Sequence, residues 1–152
     1  MSSRQNGDMP LAQLNIARRR FPLESPEMAT FVDQIADVNA AAEAADGFIW
    51  RLKDDDGPGS TGYRILDDDS LIVNLSVWRD LESLRAFVIG HDQHRQALQD
   101  RHDWFERPDV PMTVCWSVPE GHRPDVAEAQ AMLLLLREEG PGDRVFPFTY
   151  RG

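Results

Sequence analysis

Cysteine and lysine are nearly missing from this chain of 152 residues, which has one of each, Cys115 and Lys53. A single cysteine excludes an internal disulfide and a zinc site made of several thiolates, and it agrees with a reducing compartment. No apolar run approaches the roughly 20 residues that a membrane-spanning helix needs. The N-terminal segment MSSRQNGDMP is polar and lacks the apolar core of a signal peptide. We therefore expect a cytoplasmic protein without membrane association.

Positive charge is also scarce, because 16 lysine and arginine residues stand against 26 acidic ones, for a net charge of −10. Nucleic-acid-binding proteins need a basic surface that neutralises phosphates, so we expect no nucleic-acid partner. A neutral or cationic small molecule, or another protein, is favoured instead. The length of the chain suits one hydrophobic core. We expect a flexible leader over residues 1–10 and a single domain over residues 11–152.

Four segments have the alternation, or the β-branched and aromatic content, that is typical of strands. They are LAQLNIARR (11–19), GFIWRL (47–52), SLIVNLSVW (70–78) and MTVCWSV (112–118). The third is the clearest, because its two faces differ in kind. One face is aliphatic, and the other presents an amide, a hydroxyl and an indole N–H from Asn74, Ser76 and Trp78. The final VFPFTY (145–150) contains a proline, which predicts a short segment at a sheet edge.

Three segments have the start and stop signals of helices. Residues 25–47 have Ser25 as the expected N-cap, a proline at the first helical position and a glycine at the end. A second helix begins near Asp80, and Gly90 should break or kink it before a histidine-rich segment resumes as helix. Residues 125–140 open with a capping box, Asp-x-x-Glu, and close at a glycine.

The order β-α-β-β-α-β-α predicts an α+β fold of the ferredoxin-like, split β-α-β type. It has a four-stranded antiparallel sheet with helices on one face, plus an extra C-terminal helix. We expect the aliphatic strand face to pack beneath the helices, which leaves the polar face uncovered. A second subunit would then cover it, so that two sheets close into a dimeric α/β barrel with a cavity against each sheet.

Several blocks of the sequence, in order, resemble one protein family. They are LAQLNIAR, SPEMATFVDQIADVNAAAEA, GFIWRL, NLSVW, LRAFV, HRQALQDRHDWFE and VPEGHRP. Together they resemble the domain-of-unknown-function family 3291, in the dimeric α/β-barrel superfamily, over about residues 10–150. The family pattern has a histidine ten residues before Trp-Phe-Glu, matched by His94, and a Gly-His pair matched at His122. Its arginines ahead of that triplet are largely replaced here, in residues 99–102.

The resemblance implies a small-molecule enzyme without choosing its reaction. Superfamily members are similar in fold to cofactor-free quinone-forming monooxygenases, haem-degrading oxygenases, chlorite dismutases, aldoxime dehydratases and polyketide cyclases. One fold hosts many reactions, so function has to be argued from the site.

The polar strand face is the candidate binding surface. The side chains expected to line a cavity there are Asn74, Ser76, Trp78, Gln13, Asn15 and either Arg51 or Trp50. Buried amides and hydroxyls need hydrogen-bond partners, so these residues indicate water, a polar network or a ligand. A polar dimer interface is the alternative to a ligand pocket.

Three of the four histidines lie in the segment HDQHRQALQDRHDWFE, residues 91–106. At 100° per residue, His94 falls beside Leu98 and Phe105 on the apolar side, whereas the other two fall among charged residues. A metal site would need a third ligand, which no fixed spacing supplies. Haem is an alternative, with His94 as axial ligand and Trp78 and Trp104 near the ring.

A cofactor-free reaction is the preferred interpretation. Because a histidine side chain ordinarily titrates near neutral pH, His94 is the expected general acid or base, with Asn74 and Ser76 stabilising an oxyanion or enolate. Trp104, Phe105 and His122 are further candidates for contact with the substrate. The substrate would be a hydrophobic, oxygenated metabolite of secondary metabolism, which is oxygenated, cyclised or dehydrated in a homodimer. A noncatalytic small-molecule binding protein and a haem-dependent enzyme are the alternatives.

Overall fold

A computed structural model describes residues 9–22, 24–53, 64–90, 104–107 and 109–148. The elements, in chain order, are β1 (Leu11–Arg18), α1 (Ala29–Ala44), β2 (Phe48–Arg51), β3 (Leu71–Trp78), α2 (Leu81–Gly90), β4 (Thr113–Ser117) and α3 (Val126–Glu139). This is the predicted order. Within the described part of the chain, no helix is long and apolar enough to cross a membrane.

The four strands form one antiparallel sheet in the order β2-β3-β1-β4. Strand β1 is central, and its Leu14 lies opposite Leu75 of β3 and Val114 of β4. The split β-α-β prediction is therefore confirmed. Beyond β4, the backbone of Phe146 exchanges two hydrogen bonds with Cys115, as predicted for a short edge segment.

The aliphatic face of the sheet packs beneath the C-terminal helix α3. Its core is formed by alternate strand residues and one stripe of α3: Ala12, Leu14, Ile16, Leu71, Val73, Leu75, Val77, Val114, Trp116, Val118, Ala129, Leu133 and Leu136. Each strand side chain in this group is at most 4% exposed in the single chain. Burial of so much apolar surface is the main stabilisation of the fold.

The polar face of the sheet lies beneath α1 and α2. Trp78 packs there with Ala42 of α1 and with Leu84 and Val88 of α2. The expectation that the helices of the split β-α-β unit cover the aliphatic face was therefore wrong. Helices α1 and α2 do share one face, but it is the polar one, and α3 covers the opposite face.

Helices of the same chain cover both faces of the sheet. The uncovered sheet face, which was the predicted reason for a dimer, therefore does not apply. Neither face needs a second subunit to exclude water from its apolar side chains. The homodimer stays a prediction, which sedimentation of the purified protein can test.

Two of the three described helices begin at an aspartate N-cap. Asp80 accepts a hydrogen bond from the Ser83 N–H at 2.8 Å, and Asp125 accepts one from the Glu128 N–H at 2.8 Å. Ser25 was wrongly predicted as a cap, since its hydroxyl bonds the Pro22 carbonyl and a 3₁₀ turn, residues 26–28, precedes α1. Pro10, the last residue of the predicted leader, is buried, and its carbonyl accepts a hydrogen bond from the Val118 N–H at 2.9 Å.

Candidate functional site

A cavity of about 80 Å³ lies between the polar face of the sheet and helices α1 and α2. We call it the central cavity. Its apolar wall comes mainly from the two helices and from the segment after β4: Ile35, Val38, Ala42, Leu84, Phe87, Val88 and Phe148. Most of its opposite wall comes from β1 and β3. The cavity therefore has an apolar roof and a polar floor within one chain.

The polar floor consists of Gln13, Asn74, Ser76 and Trp78, which form one hydrogen-bonded network. The side-chain amide of Gln13 donates to Asn74 Oδ1 and to Ser76 Oγ, both at 2.8 Å. The Trp78 indole N–H donates to the same Ser76 Oγ at 2.9 Å. In the antiparallel register of β1 and β3, Gln13 lies directly opposite Ser76, which brings the two side chains together. Two residues that are 63 positions apart thus share one site.

Ser76 is the centre of this network. Its hydroxyl oxygen accepts two hydrogen bonds, which use both lone pairs and leave the O–H as a donor. Asn74 uses its oxygen towards Gln13, and its amide nitrogen has no acceptor among the described residues. The floor therefore offers donors to the cavity, which suits a ligand with a carbonyl, hydroxyl or oxyanion group.

Aromatic contacts hold Trp78 in one orientation. Its ring stacks on Phe87 of α2 at a centroid distance of 5.4 Å and meets the edge of Phe48 at 5.5 Å. Such contacts add to the burial of the rings themselves. The indole N–H is consequently fixed where it reaches Ser76.

An irregularity in β2 places two residues of one short strand against the cavity. The register of β2 shifts between Phe48 and Trp50, and both Phe48 and Arg51 line the cavity. Residues three apart in a regular strand would point to opposite faces, so the bulge is required. Of the two predicted alternatives, Arg51 lines the cavity and Trp50 packs against the aliphatic core.

The charge of Arg51, which lines the cavity, is balanced by a carboxylate of α1. Its Nε lies 2.8 Å from Glu43 of α1, and Lys53 Nζ lies 3.0 Å from the same carboxylate. The hydrogen bond from Lys53 lowers the pKa of Glu43, and Arg51 lowers it further. Arg51 is the one titratable side chain among the described residues that line the cavity.

Three further predicted contact residues lie elsewhere. Trp104 and Phe105 pack against Phe31 in a separate aromatic cluster. His122 Nε2 lies 2.6 Å from Glu128 Oε1, and the other oxygen of this carboxylate accepts from the Trp116 indole on the aliphatic side of the sheet. His122 therefore contacts the N-terminal turn of α3 and does not overhang the cavity.

The predicted acid–base residue, His94, lies outside the described residues, as do His91 and His102. The remaining predicted lining residues, Gln13, Asn15, Asn74, Ser76, Trp78 and Arg51, all line the cavity.

The helix side of the cavity includes one buried polar residue. Asn39 of α1 is 6% exposed, lines the cavity and has a polar interaction. The sequence already shows Asn39 as a polar residue on the otherwise apolar side of this helix, and such a residue needs a polar partner once it is buried. Sequence reasoning did not place it at the cavity, because α1 was expected on the aliphatic face of the sheet.

Cys115 lies on the same side of the sheet as the cavity but does not line it. It is fully buried, and burial raises the pKa of its thiol to about 12. At pH 8 only about one thiol in 10⁴ is ionised at such a pKa, and the thiolate is the reactive form. The cysteine is therefore a small core residue.

We expect Cys115 to resist a thiol-specific disulfide reagent in the folded protein and to react fully in guanidinium chloride. Because the chain has one cysteine, absorbance of the released thiolate reports this residue alone. Rapid stoichiometric labelling of the folded protein at pH 8 would contradict the buried assignment.

A family model described as "Domain of unknown function (DUF3291)" matches residues 10–151. The chain belongs to the DUF3291 family. The resemblance seen in the sequence blocks is thereby confirmed, over nearly the same range. No curated protein is significantly similar in sequence to this DUF3291 chain.

One solved structure agrees with the fold of this DUF3291 protein. SnoaB, a cofactor-independent oxygenase from Streptomyces nogalater, is similar with a TM-score of 0.51 and 14% identity, over 74% of this chain and 95% of SnoaB. A proposed antibiotic biosynthesis monooxygenase from Chloroflexus aurantiacus has a TM-score of 0.48 and 14% identity, over 75% of this chain and 97% of that one. Identities this low bear on the fold alone.

Proposed function

We propose that this DUF3291 protein is a small-molecule enzyme that works in the central cavity without a cofactor. The single observation that carries the proposal is the polar floor, which presents hydrogen-bond donors beneath an apolar roof. A substrate that fits such a site is hydrophobic and carries a carbonyl or phenolic oxygen. The cofactor-independent activity of SnoaB, which shares the fold, supports this class of reaction.

The floor residues would stabilise negative charge on the substrate. When an acidic C–H or O–H group loses its proton, the charge settles on the neighbouring oxygen, and donors fixed beforehand lower the energy of that anion. Ser76 O–H and the Asn74 amide are the proposed donors. Gln13 and Trp78 position Ser76 through the bonds that they donate to its oxygen.

His94 is the proposed general base. A base with a pKa near neutrality is needed to take the proton, and the described lining residues offer only the guanidinium of Arg51. The enolate or phenolate so formed could react with molecular oxygen, close a ring or lose water.

The size of the cavity limits what enters it. About 80 Å³ has room for several waters, or for one end of a larger molecule. We therefore propose that the reacting, oxygen-bearing part of the substrate lies on the floor, while the rest extends past Arg51 at the rim.

The test uses small phenols and cyclic 1,3-diketones as candidate substrates, with oxygen uptake and product analysis as readouts. We expect His94→Ala to lower turnover by about 10²-fold or more and to leave binding, followed by tryptophan fluorescence, nearly unchanged. His122→Ala is the matched control, because His122 contacts α3 on the other side of the sheet. Equal turnover by His94→Ala and wild type would remove His94 from the mechanism.

A noncatalytic binding protein is the second candidate. It is favoured by the observation that none of the described lining residues is a carboxylate, histidine or cysteine. Binding of a candidate by wild type and His94→Ala alike, with no turnover by either, would establish this alternative. A Soret band in protein from haem-supplied cells, lost in His94→Ala, would instead indicate a haem enzyme.

A further inference from the structure

A second pocket, of about 180 Å³, lies on the other side of the sheet from the central cavity and shares no lining residue with it. It lies where the end of β1 meets the last turn of α3 and the segment before β4. The lining residues are Arg18, Leu66, Leu71, Glu106, Arg107, Asp109, Val110, Met112 and Arg137. We call it the Arg137 pocket.

Arg137 is half-buried in this pocket and has no ion pair with a carboxylate among the described residues. Its Nε donates to the Pro111 carbonyl at 2.9 Å, and one Nη2 hydrogen points to the Met112 sulfur at 3.3 Å. These contacts fix the plane of the guanidinium. They use two of its five N–H groups, which leaves a fork of donors for a planar anion.

Arg18 places a second guanidinium, paired with Asp68, in the same pocket. Its Nη2 lies 2.6 Å from Asp68 Oδ2, and its Nε bonds Ser70 Oγ at 3.2 Å, so the side chain is held in place. The two arginines are close enough to interact. Burial lowers the pKa of Arg137 and the charge of Arg18 lowers it further, with Asp109 opposing both.

The half-buried charges that line the pocket are Arg18 and Arg137, and the exposed ones are of both signs. Arg137 and Met112 are half-buried, whereas Glu106, Arg107 and Asp109 are exposed and well solvated. Exposed charges are screened by water and salt, so the half-buried guanidinium of Arg137 interacts with a bound group more strongly than the exposed charges do. Two carboxylates at the rim nevertheless disfavour a ligand with more than one negative charge. Half-buried Met112 and exposed Val110 offer apolar contact to its body.

We propose that the Arg137 pocket binds a small molecule with a single carboxylate and an apolar body. The carboxylate bonds the free N–H groups of Arg137, beside the charge of Arg18. This site is separate from the proposed catalytic cavity and does not depend on it.

Benzoate is the test ligand, and the Arg137 Nε–Hε resonance of the full chain is the readout. The resonance is assigned by its loss in Arg137→Lys. We expect it to shift with saturation in sodium benzoate, and not in sodium chloride of equal ionic strength or in benzyl alcohol. The wild-type titration is sufficient by itself, so the proposal stays testable even where a variant folds poorly.

Substitutions then show which arginine contributes to the affinity for benzoate. We expect Arg137→Gln to weaken benzoate binding by at least about tenfold, and Arg137→Lys to keep part of the affinity because it keeps the charge without the fork. Arg85→Gln, which removes an exposed helix arginine outside the pocket, should leave the affinity unchanged. An equal shift in sodium chloride or in benzyl alcohol would contradict a carboxylate site at Arg137. Tighter binding of phenylphosphonate than of benzoate would contradict the preference for a ligand with a single negative charge.

Discussion

Replacing Gly47 by alanine is expected to destabilise the fold by about 3 kcal/mol, through two effects that add. Gly47 has a φ of +89°, where an L side chain is strained. A Cβ built on it would overlap Ser83 Oγ and Ser83 Cβ. Contacts this short cannot persist, so either the start of α2 or the α1–β2 turn would have to move.

Neither side of this contact is free to move. The Gly47 carbonyl accepts the Arg79 N–H at 2.6 Å, and the Arg79 side chain bonds Ser83 Oγ at 3.0 Å. The Ser83 backbone is fixed in turn by the Asp80 cap. Movement would therefore cost hydrogen bonds that hold the start of α2, one of the two helices over the central cavity.

Gly121→Ala is the matched control for Gly47→Ala. Gly121 has nearly the same φ, +86°, but no described atom lies within 4 Å of the position that an added Cβ would take. It should lose only the backbone part, about 1 kcal/mol. Chemical denaturation of both variants measures the difference. Equal losses would mean that the Ser83 contact relaxes without cost.

The sequence predicted the elements because their signals are local. Alternation over residues 70–78 identified β3, observed at Leu71–Trp78, almost to the residue. Gly47 was also recognised as a stop for α1, which ends three residues earlier, at Ala44. Its close approach to Ser83 was not predictable, since it depends on how two distant segments pack.

The candidate site was predicted in composition but not in position. Alternation separated the faces of β3, and six of the predicted lining residues do line the cavity. The alternation pattern could not predict which helix covers which face of the sheet, because the answer depends on α3 crossing to the aliphatic side. His122, next to α3 in sequence, contacts Glu128 of that helix and does not line the cavity. The cavity therefore lies inside one chain, where a cavity against a partner was expected.

Ser76→Val should be the most damaging change in the polar floor, with an expected loss of about 3 kcal/mol. Valine puts two methyl groups where serine has one hydroxyl and offers no acceptor, so two N–H donors, from Gln13 and from Trp78, lose their partner. Trp78 is 2% exposed, and its ring is held by Phe48 and Phe87, so its indole cannot turn to water. Unpaired buried donors carry their full desolvation cost.

The matched control is Ser117→Val in β4, a half-buried strand serine without a described side-chain hydrogen bond, which should change stability by at most a few tenths of a kcal/mol. A double-mutant cycle isolates the network. Gln13→Leu removes one of the donors, so Gln13→Leu with Ser76→Val should lose about 1 kcal/mol less than the single losses added together. Additive losses would show that the Gln13–Ser76 bond contributes nothing.

The Ser76→Val variant also tests whether the polar floor binds a ligand or only stabilises the fold. If Ser76 O–H bonds the substrate oxygen, Ser76→Val should weaken binding of an oxygen-bearing ligand by about tenfold or more at temperatures where the variant is still fully folded. A purely structural network would lower the unfolding temperature and leave the affinity of the folded protein unchanged. Affinity measured well below the unfolding transition therefore decides whether the donors at the base of the cavity face a ligand.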